Sequence, residues 1–420
     1  VAARFVDAPK RCPDATAADK TQLLSHLPIG QVDRILLRNP MLVCGALLAA
    51  ALAAQPSTAA TPTPAARPAA ADPVVNTVDS VEGLRDEAPA PVASRRTRTI
   101  GGTVVDLIVL VEATAPADVA AAHAAAAFAE LARVDALFAV DGPHIGAINV
   151  SAGNDAVSVD PEVFAVLVEV QRLARLSRGA FDPSVAAYAS LWTDAERPAP
   201  AVLKARRATV GLNQLVLDPV RRTARLLTGG ARIDVAAVAR GYGLDRARGI
   251  LIERGVKAFV LSGNGDLVVH GNKGGSGDDA GAPWMVGVQD PRATGPFMTI
   301  ALDPAALGGA VMTAADTDVV VLPATAVDGP RRHRHLDPKT GEPARLVRSV
   351  TVLDADALTA ACLARAIFVM GPKEGLALAA RLKGPEVVIV DASNRVTTSA
   401  GLKTLAKSGA LKQRQPTDGP

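Results

Sequence analysis

The chain has 420 residues, enough for one large or two medium domains with an ample core, and 49% of them are hydrophobic. A formal net charge of +3 gives no broadly basic face, and aromatics at 3% leave little to stack on bases. Both figures argue against a nucleic-acid partner and against a basic membrane-binding surface.

In chain order, no Met precedes Met41, so residues 1–40 read as a mis-called or non-native segment and are set aside. After Arg34 and Arg38 comes "MLVCGALLAAALAAQPSTAA", an apolar run of secretory length with Ala51-Leu52-Ala53 as a small-residue cleavage option. It is short and alanine-rich for a membrane span. Residues 41–60 are therefore expected to be a signal peptide, giving an exported, periplasmic protein with no stable membrane span after cleavage, or a tethered one if the signal is kept. Cys44 precedes the apolar run instead of following it, which disfavours lipidation. With Cys12 and Cys44 in these segments, Cys362 is the lone remaining thiol, able to make neither an internal disulfide nor an all-Cys metal site.

Residues 61–95 are rich in Ala, Pro and Thr and read as a disordered linker. The folded domain is expected over 96–404, with 405–420 as a disordered tail. "GGTVVDLIVLVEA" predicts a strand, and Pro116 to Ala139 and Pro161 to Arg178 predict helices. Pro183 is expected to open a helix carrying Tyr188 and Trp192, and "QLVLD" and "TARLLT" to pair as a hairpin around Pro219 to Arg222. "ARIDVAAVARGYGLDRARGILIERGVKAFVLSGNGDLVVHG" alternates strand, helix and strand, a loop follows over Asn272 to Ala282, and "PEVVIVDASNRVTTS" reads as a closing hairpin. Helices interspersed with antiparallel hairpins predict an α+β fold.

One predicted helix, "LTAACLARAIFVMG", poses a question. It is apolar on every side except at Arg365, so that guanidinium must be paired or must face a charged cavity. Other candidates also have two readings. Asp234 lies at a helix entrance, where an acid is often a cap, while the same turn with Arg240 can meet a phosphate. The turn from Gly263 to Asp266 either ends a strand or approaches a ligand. His333 and His335 have the alternate spacing of a chelate, though a basic surface turn is more often solvated. No phosphate loop, HExxH motif or complete dinucleotide fingerprint occurs.

Taken together, "GAFDPSVAAYASLW", "DVAAVARGYGLDRA", "WMVGVQDPR", "HLDPKTGEP" and "VTVLDADALTAACLARAIFVMG" stand in the order and spacing of the flavin transferase family typified by ApbE. The chain resembles that family from about Gly101 to Thr398. The resemblance implies an ApbE-like fold of mixed and antiparallel sheets with packed helices. It also implies an enzyme that uses Mg²⁺ to split FAD, attaches FMN through a phosphoester to a Ser or Thr of an acceptor protein, and releases AMP. By position it implies FAD contacts at Gly101, Ala180, Phe181, Asp182, Asp234 and Arg240, and a backbone carbonyl of Ala237 on the metal. The family's His position holds Arg334 here, with His335 beside it.

The family's two side-chain Mg²⁺ ligands fall at Ala361 and Arg365, where neither is an oxygen donor. Arg365 is then expected to substitute for part of the cation charge against pyrophosphate, to pair with a carboxylate such as Asp266, or to be solvated. Asp266 is the expected proton acceptor. The alternative function is a flavin-nucleotide-binding or delivery protein of the same fold with weak or no turnover.

Overall fold

Segments such as "EVVIVD" and "DLVVH" are apolar at consecutive positions, the pattern of a strand covered on both faces. The computed structural model describes residues 77–78, 92–112, 115–192, 198–273, 282–317 and 333–417, so the N-terminal segment, the signal and most of the linker lie outside the described residues. All described residues belong to one unit, Ala69–Pro420.

The strands in chain order are β1 (Thr77–Val78), β2 (Val92–Ile100), β3 (Thr103–Val111), β4 (Val157–Ser158), β5 (Leu215–Asp218), β6 (Thr223–Leu226), β7 (Ala258–Gly263) and β8 (Asp266–His270). They continue with β9 (Trp284–Gln289), β10 (Pro296–Leu302), β11 (Ala310–Ala315), β12 (Val347–Asp354), β13 (Glu386–Asp391), β14 (Val396–Thr398) and β15 (Leu411–Gln413). The longer helices are α1 (Ala117–Leu137), α2 (Pro161–Leu176), α3 (Ala236–Glu253), α4 (Ala357–Met370), α5 (Pro372–Leu382) and α6 (Ala400–Lys407). None of the described helices is long and apolar enough to cross a membrane.

The centre is an eight-stranded sheet in the order β14-β13-β12-β11-β8-β7-β3-β2, with antiparallel neighbours throughout. Side chains alternate between its faces. Phe259, Leu261, Val268, Val350 and Ile389 enter a core shared with α1, α3 and α4, while Val260, Leu267, Val269, Val388 and Val390 enter a second core against β9 and β10. That second core is closed by a four-stranded sheet, β1-β9-β10-β15. The expected hairpin of β5 and β6 forms a third small sheet with β4.

Several expectations change. The fold starts before residue 96: β2 lies along the edge of the main sheet, and Gly101 and Gly102, both at positive φ, make the two-residue turn into β3 instead of beginning that strand. "ARID" is not a strand; it leads into α3. Residues beyond 404 are not a loose tail through Thr417. Strand β15 pairs with β10, and Thr417 and Arg414 both bond the buried Asp290 carboxylate. Pro183 opens only a 3-10 turn, Pro183–Val185, and one short helix, Ala186–Ala189, with Trp192 beyond its end.

Two glycines explain how α3 fits. A Cβ at Gly241 would lie 2.5 Å from the Ala357 carbonyl oxygen of α4, and one at Gly243 would meet Leu131 of α1 at 3.3 Å. Helix α3 is thus wedged between α1 and α4, with no room for a side chain at Gly241 and little at Gly243.

Candidate functional site

The entrance of α3 splits its residues between two hollows, as a period of 3.6 requires. Asp234, Ala237 and Val238 line a cleft of about 260 Å³. Ala236, Ala239, Arg240 and Gly243, at i, i+3, i+4 and i+7, line a smaller cavity of about 90 Å³ on the opposite side.

The larger cleft is assembled from four segments far apart in sequence. One wall is the loop Ala180-Phe181-Asp182 with the helical turns after it. The start of α3 is the second, Arg334 to Leu336 the third, and Arg365 and Val369 of α4 the fourth. Of the expected site residues, Ala180, Phe181, Asp182, Asp234, Ala237 and Arg365 meet here.

Local hydrogen bonds fix each wall. Asp182 Oδ1 accepts from the Ser184 amide at 2.9 Å and its hydroxyl at 2.6 Å, while burial raises the Asp182 pKa above the ordinary carboxylate value against those bonds. The Asp234 amide donates to the Pro183 carbonyl at 3.1 Å, tying the first wall to the second. Its Oδ1 accepts the Ala236 amide at 2.9 Å, so the capping reading of Asp234 and its place in the cleft hold together.

The third wall docks on the first. Asp337 to Gly341 is a tight turn with Gly341 at φ +75°, and a Cβ there would strike the Tyr188 ring at 2.7 Å. The Trp192 indole donates to the Gly341 carbonyl at 2.9 Å, and Tyr188, Trp192, Leu203 and Leu336 share a small core. Sequence reasoning did not assign this role to Tyr188 and Trp192. The available signal was one of the chain's two Tyr and one of its two Trp standing four residues apart just after "GAFDP".

His333 and His335 do not form a solvated turn. Both are buried, and their rings pack on Phe368 of α4 at centroid distances of 5.1 and 4.7 Å. Arg334 lies between them in sequence and is exposed at the cleft.

On α4 the N-terminus is held by Asp356, which accepts the Thr359 amide, and by Asp245 of α3, whose Oδ2 accepts the amides of Ala357 and Leu358. Ala361 is fully buried, and its carbonyl accepts from Arg365 Nη1 at 2.9 Å. The question posed by the apolar helix is answered in part: Arg365 stands at the cleft wall with one N–H bonded back to its own helix.

Three expected residues lie elsewhere. Asp266 does not line the cleft; it is buried at the start of β8 and accepts the Thr313 amide at 3.0 Å, the position of a group that organises the sheet. Arg240 lines the smaller cavity. Gly101 occupies the β2–β3 turn, where a Cβ would collide with the carboxylate of Asp135, another residue of that cavity.

Mg²⁺ is a hard ion that needs several oxygen ligands. Position 361 offers a buried methyl group and position 365 a guanidinium, and among the described residues no group of three or more His, Cys, Asp or Glu is placed to hold a metal. Among the described residues, the side chains do not fit a resident divalent cation.

A family model described as the ApbE family matches residues 102–389. A FAD:protein FMN transferase of Treponema pallidum is 30% identical over 284 residues, spanning 62% of this chain and 74% of that protein. One from Vibrio cholerae is 28% identical over 267 residues, with the same two coverages, 62% and 74%. The crystal structure of an ApbE protein from Thermotoga maritima is similar with a TM-score of 0.65 at 28% identity, covering 74% of this chain and 99% of that one. The Vibrio cholerae flavin transferase structure has a TM-score of 0.63 at 22% identity, covering 75% and 99%, which speaks for the fold.

Proposed function

This chain belongs to the ApbE family, and we propose from that premise that it is an FAD:protein FMN transferase. It cleaves the pyrophosphate of FAD and leaves FMN on a Ser or Thr of a separate acceptor protein. The observation that carries this reading is the convergence of "GAFDP", the Asp234 turn and α4 on one cleft between rigid elements.

The chemistry balances simply. The acceptor hydroxyl oxygen attacks the FMN-side phosphorus, the bond from that phosphorus to the bridging oxygen breaks, and AMP departs with that oxygen. The hydroxyl proton passes to a base. Among the described residues lining the cleft, Asp182, Asp234 and His335 are the groups able to accept one. Asp266, the expected proton acceptor, is not among the residues lining the cleft. Such a transfer depends on positioning and on neutralising phosphate charge. For this the α3 entrance supplies the positive end of a helix, and Arg334 and Arg365 supply positive charge. No step is routed through Mg²⁺, which these residues do not fit.

The expected export signal extends the proposal to a reaction outside the cytoplasm, supported by the apolar run after Met41 and tested by fractionation and N-terminal mass. The activity is tested by incubating the full chain with FAD and a Ser- or Thr-bearing flavinylation acceptor domain. AMP released in equal amount to covalent flavin on the acceptor is the expected result. FAD binding with neither AMP nor adduct would reduce the protein to the flavin-delivery alternative.

A further inference from the structure

We propose that the cleft holds the pyrophosphate of its nucleotide with two guanidinium groups, Arg334 and Arg365, in place of a divalent cation, so that nucleotide binding is independent of Mg²⁺. This deepens the functional reading above and rests on it.

The two arginines reach one cleft from different elements, Arg334 from the loop before the Asp337 turn and Arg365 from α4. They also share a mount. Phe368, one helical turn beyond Arg365, carries the buried rings of His333 and His335 that flank Arg334 in the chain. The His333 ring is further held by a 2.9 Å hydrogen bond between Nε2 and the Ala344 carbonyl. Arg365 is oriented by the Ala361 carbonyl. Guanidinium groups suit phosphate oxygens, because the planar fork donates in pairs and keeps its charge at all working pH values.

The cleft's acids do not contradict an anion. Asp182 Oδ1 and Asp234 Oδ1 each accept amide hydrogen bonds from their own turns, and burial disfavours the charged form of Asp182. The first turn of α3 presents Ala237 and Val238 at the same wall, adding the positive end of a helix. The position that would have to ligate a cation instead holds the Ala361 methyl, wholly buried. A divalent ion there would face Arg365 with no compensating carboxylate from α4.

The test is FAD titration of the full chain by flavin fluorescence, in EDTA and in saturating Mg²⁺, with inorganic pyrophosphate as competitor. Equal affinity in the two conditions, and displacement of FAD by pyrophosphate in EDTA, are expected. Arg365→Gln and Arg334→Gln should each weaken FAD binding by about 10-fold or more, the loss expected for a charge-assisted contact, with an unchanged thermal transition in the absence of ligand. Arg365→Lys should recover part of the loss by restoring charge. Binding seen only with Mg²⁺ would overturn the arginine clamp while leaving the transferase reading standing. Undiminished binding by both Gln variants would overturn it as well. No FAD binding by the wild type under either condition would remove the transferase reading itself.

Discussion

The two faces of the eight-stranded sheet both carry arginine and aspartate, yet they use them differently. On the side of β9 and β10, Asp290 collects Arg414 and Thr417 while Arg292 donates to Asp316 at 2.7 Å, and both members of that pair are nearly inaccessible. These charges staple chain ends and turns. On the helical side, Asp182, Asp234, Arg334 and Arg365 line the walls of an open cleft, and Asp182, Asp234 and Arg365 are each held by a hydrogen bond within their own element. The contrast teaches that a buried ion pair marks a closed joint, whereas charges distributed around a hollow mark a place for a ligand.

The largest effect is expected of Arg292→Ala. It would leave the Asp316 carboxylate buried without that partner, an error costing roughly 3–5 kcal/mol. Chemical denaturation should show that loss, and the folded fraction should bind FAD with unchanged affinity. A large affinity loss at unchanged stability would mean that the closed face belongs to the site after all.

Next in size is Gly241→Ala, which presses a methyl group against the Ala357 backbone where α3 crosses α4. Overpacking of this kind costs about 1–3 kcal/mol, and because the same helix carries Arg365, FAD affinity should fall along with stability. Gly243→Ala meets only the side chains of Leu131 and Val134, at 3.3 Å and beyond, and should be milder on both measures. Equal effects from the two glycines would argue against α4 being positioned through this crossing.

A smaller, pH-dependent effect separates scaffold from cleft on the helical side itself. Glu130 of α1 is bonded by Arg133 and Arg246, and chiefly through Arg133 its carboxyl is held down at about 2 against an ordinary 4.5. A depressed carboxylate stabilises the fold fully above its unfolded pKa, so this contribution should be complete above about pH 4.5 and vanish as pH falls toward 2. Because both arginines are substantially exposed, screening reduces it to about 1–2 kcal/mol. Glu130→Gln should flatten acid unfolding in that window, and an unaltered acid limb would show the network to be ornamental.

Legibility in the sequence followed the range of the interactions. Helices α1 and α2 were readable because Pro and Asp mark their entrances, and the β5–β6 hairpin because Pro219 to Arg222 interrupts two short apolar runs. Strand β2 was hidden: as an exposed edge it carries Arg95, Arg96 and Arg98 and shows no apolar alternation. The burial of His333 and His335 depends on Phe368, and the order of the last residues on Asp290, partners that local pattern cannot supply. The cleft was legible mainly as motifs. Why they converge was not, since that depends on Trp192 bonding Gly341 across 149 positions of chain.

The last and smallest stability effect addresses the ambiguity at Asp234, where the sequence offered a cap or a ligand contact. The geometry allows both, because Oδ1 takes the Ala236 amide while the residue lines the cleft. Asp234→Ala removes a capping bond worth about 1 kcal/mol, so denaturation should shift only slightly. If the side chain also touches the nucleotide, FAD affinity should drop by more than that modest loosening of the α3 entrance explains, and Asp234→Asn should restore the cap without restoring affinity for a group that needs the carboxylate. A variant with normal FAD affinity and only the small stability loss would make Asp234 a cap alone, and would shift the weight of recognition to the arginines on the other walls.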